Sequence, residues 1–449
     1  MKNIIKVISE TIKGTSFENN AFIAGGFVRD LVMGKQSNDL DIVVALENGG
    51  EKLAEFLFEK GVSSKPVIFE RFGTALVIID GHKVEFVMTR KESYRTKSRK
   101  PDVQIGTLEQ DVFRRDFTIN SLLMNISTSE ILDITEKGFA DIKNRIIRSS
   151  SEPNIIFAED PLRMLRAVRF AVELKFSIES ETENGIKNNA DKLEDISWER
   201  RRDELIKILI SPSPVKGIRM LIELNLMKNL IPQFSEIMNV TQNRYHDKNV
   251  LEHTLAVLER TPANQVLRVS ALLHDIGKAR TRTVDKTGVH FYKHEIISSR
   301  MAREILNRLK FSKDDIKDVS FIIKNHMRLK SFENKLETLS NKAIRKLILS
   351  SGSNLDILLD LIHADNLNHA ADYCLPEQIP EIRKRIEKIK LELAENKFPV
   401  SGRDIIDYFK IGPGKKVGRL LSKAEEIWHE HPNWGKGKIL AELVKKSLS

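Results

Sequence analysis

Cysteine is nearly absent: Cys374 is the only one in 449 residues. That excludes an internal disulfide and a cysteine-built zinc cluster, and it fits a reducing cytoplasm. The sequence also lacks an apolar stretch that approaches the length of a membrane span, and its start, MKNIIKVISE, lacks a signal-peptide layout. It has no internal repeat and no low-complexity segment. Charge is not balanced either. Lysine and arginine number 73 against 63 aspartate and glutamate, a formal +10, which points to a polyanionic partner. With 41% hydrophobic and 30% charged residues, the chain reads as a soluble, packed protein of about two to four domains.

The stretch that organises the rest is Ala21 to Val44, AFIAGGFVRDLVMGKQSNDLDIVV. An apolar run leads into Gly25-Gly26, and a short helical stretch opens near Arg29-Asp30. A second apolar run, Leu40 to Leu46, carries Asp39 and Asp41 at its start. Residues two apart on a strand share a face, so Asp39 and Asp41 aim both carboxylates at one point while Leu40 turns into the core. Like charges that close repel unless a cation sits between them. Oxygen-only ligation suits Mg²⁺, held by carboxylates and substrate phosphates. The glycine pair lets backbone N–H groups approach a phosphate. Asp-Leu-Asp alone is equally a strand edge with two solvated aspartates. Gly-Gly, Arg-Asp and Asp-Leu-Asp in one strand–turn–helix–strand unit are far more specific.

This arrangement resembles the nucleotidyltransferase superfamily typified by DNA polymerase β, and GGFVRD…DLD is similar to class II tRNA CCA-adding enzymes and the related bacterial poly(A) polymerases. The remainder of the head is read in the same way. Residues 1–20 pattern as an amphipathic helix and Gly50 to Lys60 as another, and Pro66 to Phe69, Ala75 to Asp80 and Lys83 to Met88 alternate as strands. Glu85 on the last of these is either a third carboxylate of a two-metal site or a solvent-facing strand residue. Thr89 to Pro101 has six basic residues against one acidic and reads either as an ordinary solvated loop, which the residues alone favour, or as a mobile basic loop beside the site. The resemblance implies a flexible loop at this place, used for the final A addition. In Arg114-Arg115-Asp116-Phe117-Thr118-Ile119-Asn120, the arginines offer bidentate donors to phosphate oxygens. RRDFTIN matches the family's second motif, so the resemblance assigns Arg114, Arg115, Asp116 and Asn120 to the ribose and triphosphate.

Ala158 to Leu174, AEDPLRMLRAVRFAVEL, reads as a helix with Asp160 at a capping position and Pro161 at its first position. Arg163, Arg166 and Arg169 recur along one side, which is either a solvated basic face or a site. Cytosine and adenine each present an exocyclic amine beside a ring-nitrogen acceptor. A carboxylate with a guanidinium matches that order, whereas guanine and uracil present the reverse. EDPLR is similar to the motif in which Asp and Arg act as a protein template for the incoming base. That carries to Asp160 and Arg163, with Glu159 orienting the arginine. In the helical stretch Ile196 to Leu209, Glu199, Arg202 and Glu204 read as structural ion-pairing residues.

From Arg244 the character changes: RYHDKNVLEHTL, ALLHDIGKA, YKHEIISS, IIKNHMRL and LIHADNLNH follow one another. Imidazole and carboxylate ligands suit divalent transition metals, and these positions suffice for one or two sites. The stretch resembles the HD phosphohydrolase superfamily, which carries over His253, His274, Asp275 and Asp365 as metal ligands. His294 and His326 are extra candidates and His246 a weaker one; a metal-free helical scaffold is the competing reading. The tail from Ser401 holds 10 basic and 6 acidic residues and reads as a small helical module; the resemblance implies that it grips tRNA through shape and phosphates, and a plain solvated helical cap is the competing reading.

The expected architecture is α+β: a polymerase β-like head of mixed sheet and helices over 1–150, then all-helical neck (151–240), HD body (241–375) and tail (376–449). The resemblance implies template-independent addition of CMP and AMP, from CTP and ATP, to a tRNA lacking its 3′ CCA. Asp39 and Asp41 then hold Mg²⁺, with Gly25, Gly26, Arg29, Arg166 and Arg169 on the nucleotide. The rival readings are an A-adding enzyme or poly(A) polymerase, a metal-dependent HD phosphohydrolase with a degenerate head, and a non-catalytic RNA-binding protein. None of these requires a membrane.

Overall fold

A computed structural model describes the chain apart from residues 38, 70–72, 94–101, 243–244, 246, 330–338, 396–397 and 449. His246 and the centre of the basic stretch Thr89 to Pro101 therefore lie outside the described residues. The chain forms two compact units, Met1–Pro232 and Gln233–Ser449.

The first unit is built on strands β1 (Ala21–Ala24), β2 (Leu40–Val44), β3 (Val67–Phe69), β4 (Thr74–Ile79), β5 (His82–Met88), β6 (Arg90–Ser93), β7 (Asp102–Ile105), β8 (Leu123–Asn125) and β9 (Ile131–Leu132). Seven of them make one sheet in the order β3-β4-β5-β2-β1-β8-β9, and β6 with β7 makes a separate ribbon. Only β2 and β5 run parallel; the other ladders in the sheet are antiparallel. The ends of the expected basic loop are thus paired strands, with Arg90 opposite Ile105.

The apolar runs become central strands because both of their faces are covered. All four β1 residues are buried. Helix Lys2–Ile12 inserts Ile4, Ile8 and Ile12 on one face of the sheet, the spacing of a single helical stripe. It ends at Ile12 rather than near residue 20, because Lys13 leaves the helical region and Gly14 adopts a positive φ. Helix Gly49–Glu59 adds Leu53, Ala54 and Leu57 to the same core, which includes Phe86 and Ile42. Gly50 lets it pack there, since a Cβ would stand 2.8 Å from the Phe86 carbonyl oxygen. On the opposite face Val112 packs with Phe22, Ala24, Val43 and Leu123.

Two helix starts differ from expectation. The helix after β1 begins at Gly26. The expected helix from Ala158 is two helices, Pro153–Glu159 and Leu162–Leu174, broken at Asp160. A proline disfavours the helical region for the residue before it, and Asp160 is extended (φ −133°, ψ 94°).

The second unit is helical apart from a hairpin of Arg282–Asp285 with Gly288–Phe291. Asn341–Asn366 is long and apolar enough, by length and composition alone, to cross a membrane, contrary to the expectation that nothing approaches that length. Here it is broken at Gly352 (φ +50°) into Asn341–Ser351 and Leu355–Asn366, and Leu358, Leu361 and Ile362 are buried in the body. The tail helices Gly402–Phe409, Lys415–Glu430 and Lys436–Leu448 close over Trp428, Ile405, Ile439 and Leu443.

Phe86→Ala removes the largest fully buried side chain of the head core. It is expected to cost about 3–5 kcal/mol, read as a lower urea midpoint for loss of the head's sheet signal; an unchanged midpoint would contradict this packing.

Candidate active site

Gly25 turns the chain out of β1 at φ +71°, a conformation that favours glycine. The turn leaves a cavity of about 510 Å³ lined by both glycines, Asp39, Asp41, Asp116, Asn120, Asp160 and seven arginines. Those arginines are Arg29, Arg114, Arg115, Arg163, Arg166, Arg169 and Arg200.

Asp39 lies just before β2 and Asp41 within it, while Leu40 between them is buried. Asp41 stands opposite Glu85 in the parallel ladder. Burial, then the charges of Asp39 and Glu85, push the Asp41 carboxyl up to about 6, against the lowering effect of Arg115. A carboxylate held this uncomfortable is one that a cation stabilises. Glu85 is exposed and lines a neighbouring cavity of about 280 Å³ with Phe69, Thr74, Val87 and Arg90. It is beside Asp41 in the sheet without lining the main cavity.

The guanidiniums are held by buried carboxylates. Asp111, fully buried, accepts from Arg114 at 2.6 Å and from Arg115 at 2.8 Å. Burial alone would raise its pKa, but Arg115 and Arg114 hold it below the ordinary carboxylate range. Arg29 donates to Asp30 at 2.9 Å and to Asn120 at 2.8 Å. Asn120 in turn donates to Asp116 Oδ1 at 3.0 Å, and Arg166 reaches Asp116 Oδ2 at 2.6 Å. Asp116 also accepts from the Phe117 N–H. It thus ties the RRDFTIN segment to the Leu162–Leu174 helix rather than projecting a free carboxylate. Arg169 is fixed by Glu204 at 2.7 Å and Glu173 at 3.1 Å. Arg29, Arg166 and Arg169 all lie over the Phe170 ring, at 5.3, 5.4 and 4.1 Å.

Of the two readings of these arginines, a solvated basic face or a site, the solvated face is not what they form. Arg163 is buried and donates to the Arg114 carbonyl at 2.6 Å and the Ile156 carbonyl at 3.3 Å, with Glu159 at 3.7 Å. Asp160 accepts from the Leu162 N–H at 3.2 Å and from Arg200 at 3.3 Å. Glu204 is a buried structural anion, Arg202 pairs with its neighbour Asp203, and Glu199 is exposed. Asp111, Phe170 and Arg200 escaped the sequence reading. Asp111 was readable, because it precedes two arginines by three and four residues where the helix Leu108–Phe113 ends. Nothing distinguishes Arg200 from Arg201 and Arg202 in sequence.

In the second unit, Asp275 lies between two groups of buried ligands. Asp275 Oδ2 is 3.2 Å from His274 Nε2 and 3.7 Å from His253 Nε2, and Asp275 Oδ1 is 3.3 Å from His294 Nε2 and 3.9 Å from His326 Nε2. Asp365 meets His253 at 3.0 Å. His253, His274 and Asp365 form one group fit for a metal ion, and Asp275, His294 and His326 the other. The donor chemistry fits. His274, His294 and His326 donate Nδ1–H to the carbonyls of Ala271, Phe291 and Ile323, so each neutral ring offers its Nε2 lone pair to the centre; against the lowering effect of burial, Asp275 raises the His274 pKa, favouring its charged form where no metal is bound. Burial and the neighbouring imidazoles keep His326 neutral, its pKa well below the usual value. Lone pairs facing a carboxylate in a buried site repel unless a cation joins them. Lys278 supplies one positive charge, 2.8 Å from Asp275 Oδ2. Among the described residues, all six ligand candidates other than His246 come together.

The fold and the carboxylate-plus-arginine cavity define a polymerase β-type nucleotidyltransferase head, and the histidine centre an HD domain. Residues 21–148 match the poly(A) polymerase head domain, 175–238 the probable RNA and SrmB-binding site of polymerase A, and 245–356 the HD domain. Over nine-tenths of both chains the protein is 28% identical to an A-adding tRNA nucleotidyltransferase of Deinococcus radiodurans (91% of this chain, 92% of the relative). It is likewise 28% identical to a CCA-adding enzyme of Ligilactobacillus salivarius (93% and 90%). Its fold is that of the Bacillus stearothermophilus CCA-adding enzyme crystallised with CTP, at TM-score 0.70 and 23% identity over 100% of this chain and 98% of that one. The chain thus carries a poly(A) polymerase head domain followed by its RNA-binding segment and an HD domain, and it is similar along nine-tenths of its length to tRNA nucleotidyltransferases. It is a nucleotidyltransferase enzyme.

Protons and a divalent cation compete for Asp41. Mn²⁺ affinity of the head, measured by calorimetry, is expected to rise about tenfold per pH unit up to roughly pH 6 and then level off; affinity that is flat from about pH 5 to 7 would contradict the raised pKa. The same shift destabilises the folded head as pH rises from about 4 through 6, because the native state then binds more protons than the unfolded one.

Proposed function

We propose that this enzyme adds CMP, CMP and AMP to the 3′ end of a tRNA lacking CCA, using CTP and ATP, releasing pyrophosphate and needing no nucleic-acid template. The observation that carries this is a single cavity in which Asp39 and Asp41, the arginine array and the Asp160–Arg163 pair face one another. Asp39 and Asp41 would hold Mg²⁺, with Glu85 beside them in the sheet. Bound ions supply Lewis acidity that activates the attacking hydroxyl and screens the leaving pyrophosphate. Gly25 and Gly26 give the phosphates room against the backbone, and Arg29, Arg114 and Arg115 orient them. Asp116 and Asn120 hold the arginines in place, and Arg166 and Arg169 complete the positive wall. Asp160 accepts from the exocyclic amine of cytosine or adenine while Arg163 donates to the ring nitrogen. The basic tail and the neck supply the tRNA grip, through phosphates rather than bases.

Purified protein with Mg²⁺ and tRNAs ending before CCA, at C and at CC, given CTP, ATP or both, separates the readings. Stepwise growth that stops at CCA is expected. The likeness to an A-adding relative supports a second reading, in which only the CC end is extended, by one A. Long A tails would instead make this a poly(A) polymerase. Asp41→Asn is expected to lower extension by at least about 10²-fold with tRNA binding retained; loss of binding alone would overturn the assignment.

For the second centre we propose that His253, His274, Asp275, His294, His326 and Asp365 hold divalent transition metal for phosphoester hydrolysis. Mn²⁺ or Ni²⁺ retained after gel filtration, counted by mass spectrometry, is expected to fall in Asp275→Asn and in His326→Gln. A metal content equal to that of the parent protein in both variants would contradict this.

A further inference from the structure

We propose that Arg200 is the positioning residue that sets base selectivity, by fixing the carboxylate of Asp160. This rests on the reading of Asp160 and Arg163 as the base-reading pair.

The two members of that pair are held differently. Arg163 is buried and anchored by two backbone carbonyls, those of Arg114 and Ile156, so its donors point one way. Asp160 lies in the extended break between two helices. The terminal torsion of an aspartate is broad. Two contacts restrict it here. Oδ1 accepts from the Leu162 N–H at 3.2 Å, and Oδ2 accepts from Arg200 at 3.3 Å. One contact on each oxygen defines the carboxylate plane, and with it the direction of the remaining lone pairs that would receive an exocyclic amine.

Arg200 comes from a separate helix, Trp198–Ile210, whose N-terminus is capped by Ser197. Of three consecutive arginines it is the one that lines the cavity. Arg201 donates to the Asn229 carbonyl and stacks on Trp198 at 3.5 Å, and Arg202 pairs with Asp203. The Arg200 side chain is 53% exposed, against 28% for Asp160. It therefore stands at the mouth of the cavity, more exposed than the carboxylate it holds.

The pairing also works in reverse. Guanine O6 and uracil O4 are acceptors in the place where adenine and cytosine carry amines. An unengaged arginine at that mouth would offer N–H donors to the wrong bases. Bonded to Asp160, Arg200 presents them to the carboxylate instead. The pair thus favours amine-bearing bases and withholds a donor from carbonyl-bearing ones.

The test uses the full-length protein, Arg200→Ala and Arg200→Lys. For each, kcat/KM is measured for CTP against UTP on tRNA ending at C, and for ATP against GTP on tRNA ending at CC. Equilibrium binding of the four nucleotides without tRNA is measured in parallel, so that a slow variant still reports. Arg200→Ala is expected to lower both discrimination ratios by roughly tenfold, the loss of one charge-assisted hydrogen bond, with KM for tRNA unchanged and partial rescue by lysine. Unchanged ratios would overturn the inference, whether activity is kept or lost, and so would a rise in tRNA KM alone. If the parent protein itself does not prefer CTP and ATP, the underlying reading of Asp160 and Arg163 fails instead, and the two failures are distinguishable.

Discussion

Seven guanidiniums around one cavity repel one another, and the first unit is arranged to bear that repulsion. Like charges at such separations cost several kcal/mol when water is excluded, by order of magnitude. The relief comes from carboxylates bonded to the arginines, of which Asp116 lines the cavity and Asp111, Glu173 and Glu204 do not. Asp111 serves Arg114 and Arg115, Asp116 serves Arg166, and Glu204 with Glu173 serves Arg169. Phe170 adds a negative ring face beneath three of them. The outcome is a positive wall whose donors are already oriented, which is what a polyanionic triphosphate needs from a site that does no covalent chemistry of its own.

The same bonds join local structure to function. Asp116 and Arg166 link the segment after the head's arginines to the helix that carries Arg163, so that Arg29, Asn120, Asp116 and Arg166 form one hydrogen-bonded network. Asp39 and Asp41 concentrate negative charge at the start of β2 in the same cavity, with Arg115 near Asp41; in the function proposed above, that contrast in sign would orient a metal-bound nucleotide. The histidine centre in the second unit follows another logic. Imidazoles, three of them fixed by backbone carbonyls three residues earlier, face one central aspartate, a donor set for a softer divalent ion than the all-oxygen pair in the head.

Much of this was legible in the chain. Period-two and helical patterns located the head's strands and helices, and Gly25-Gly26, Asp39, Asp41, RRDFTIN and EDPLR all reached the same cavity. What sequence could not convey was the use of each polar group. Asp116 looked like a group for the ribose, yet its two oxygens bind Phe117, Asn120 and Arg166. Arg200, Arg201 and Arg202 are alike in sequence, but helical rotation sends one to the cavity, one to Trp198 and one to Asp203. Glu85 is placed by ladder register, which no local pattern encodes. Asp160 read as a helix cap, whereas the proline after it makes it a break between two helices.

The central claim is that one cavity holds both ends of a nucleoside triphosphate. The most direct measurement is a crystal structure of the protein with CTP and a divalent ion. The account predicts triphosphate oxygens on Arg29, Arg114 and Arg115, the ion at Asp39 and Asp41, and the cytosine edge on Asp160 and Arg163. A nucleotide bound with its base turned away from that pair, or bound only at the histidine centre, would contradict it.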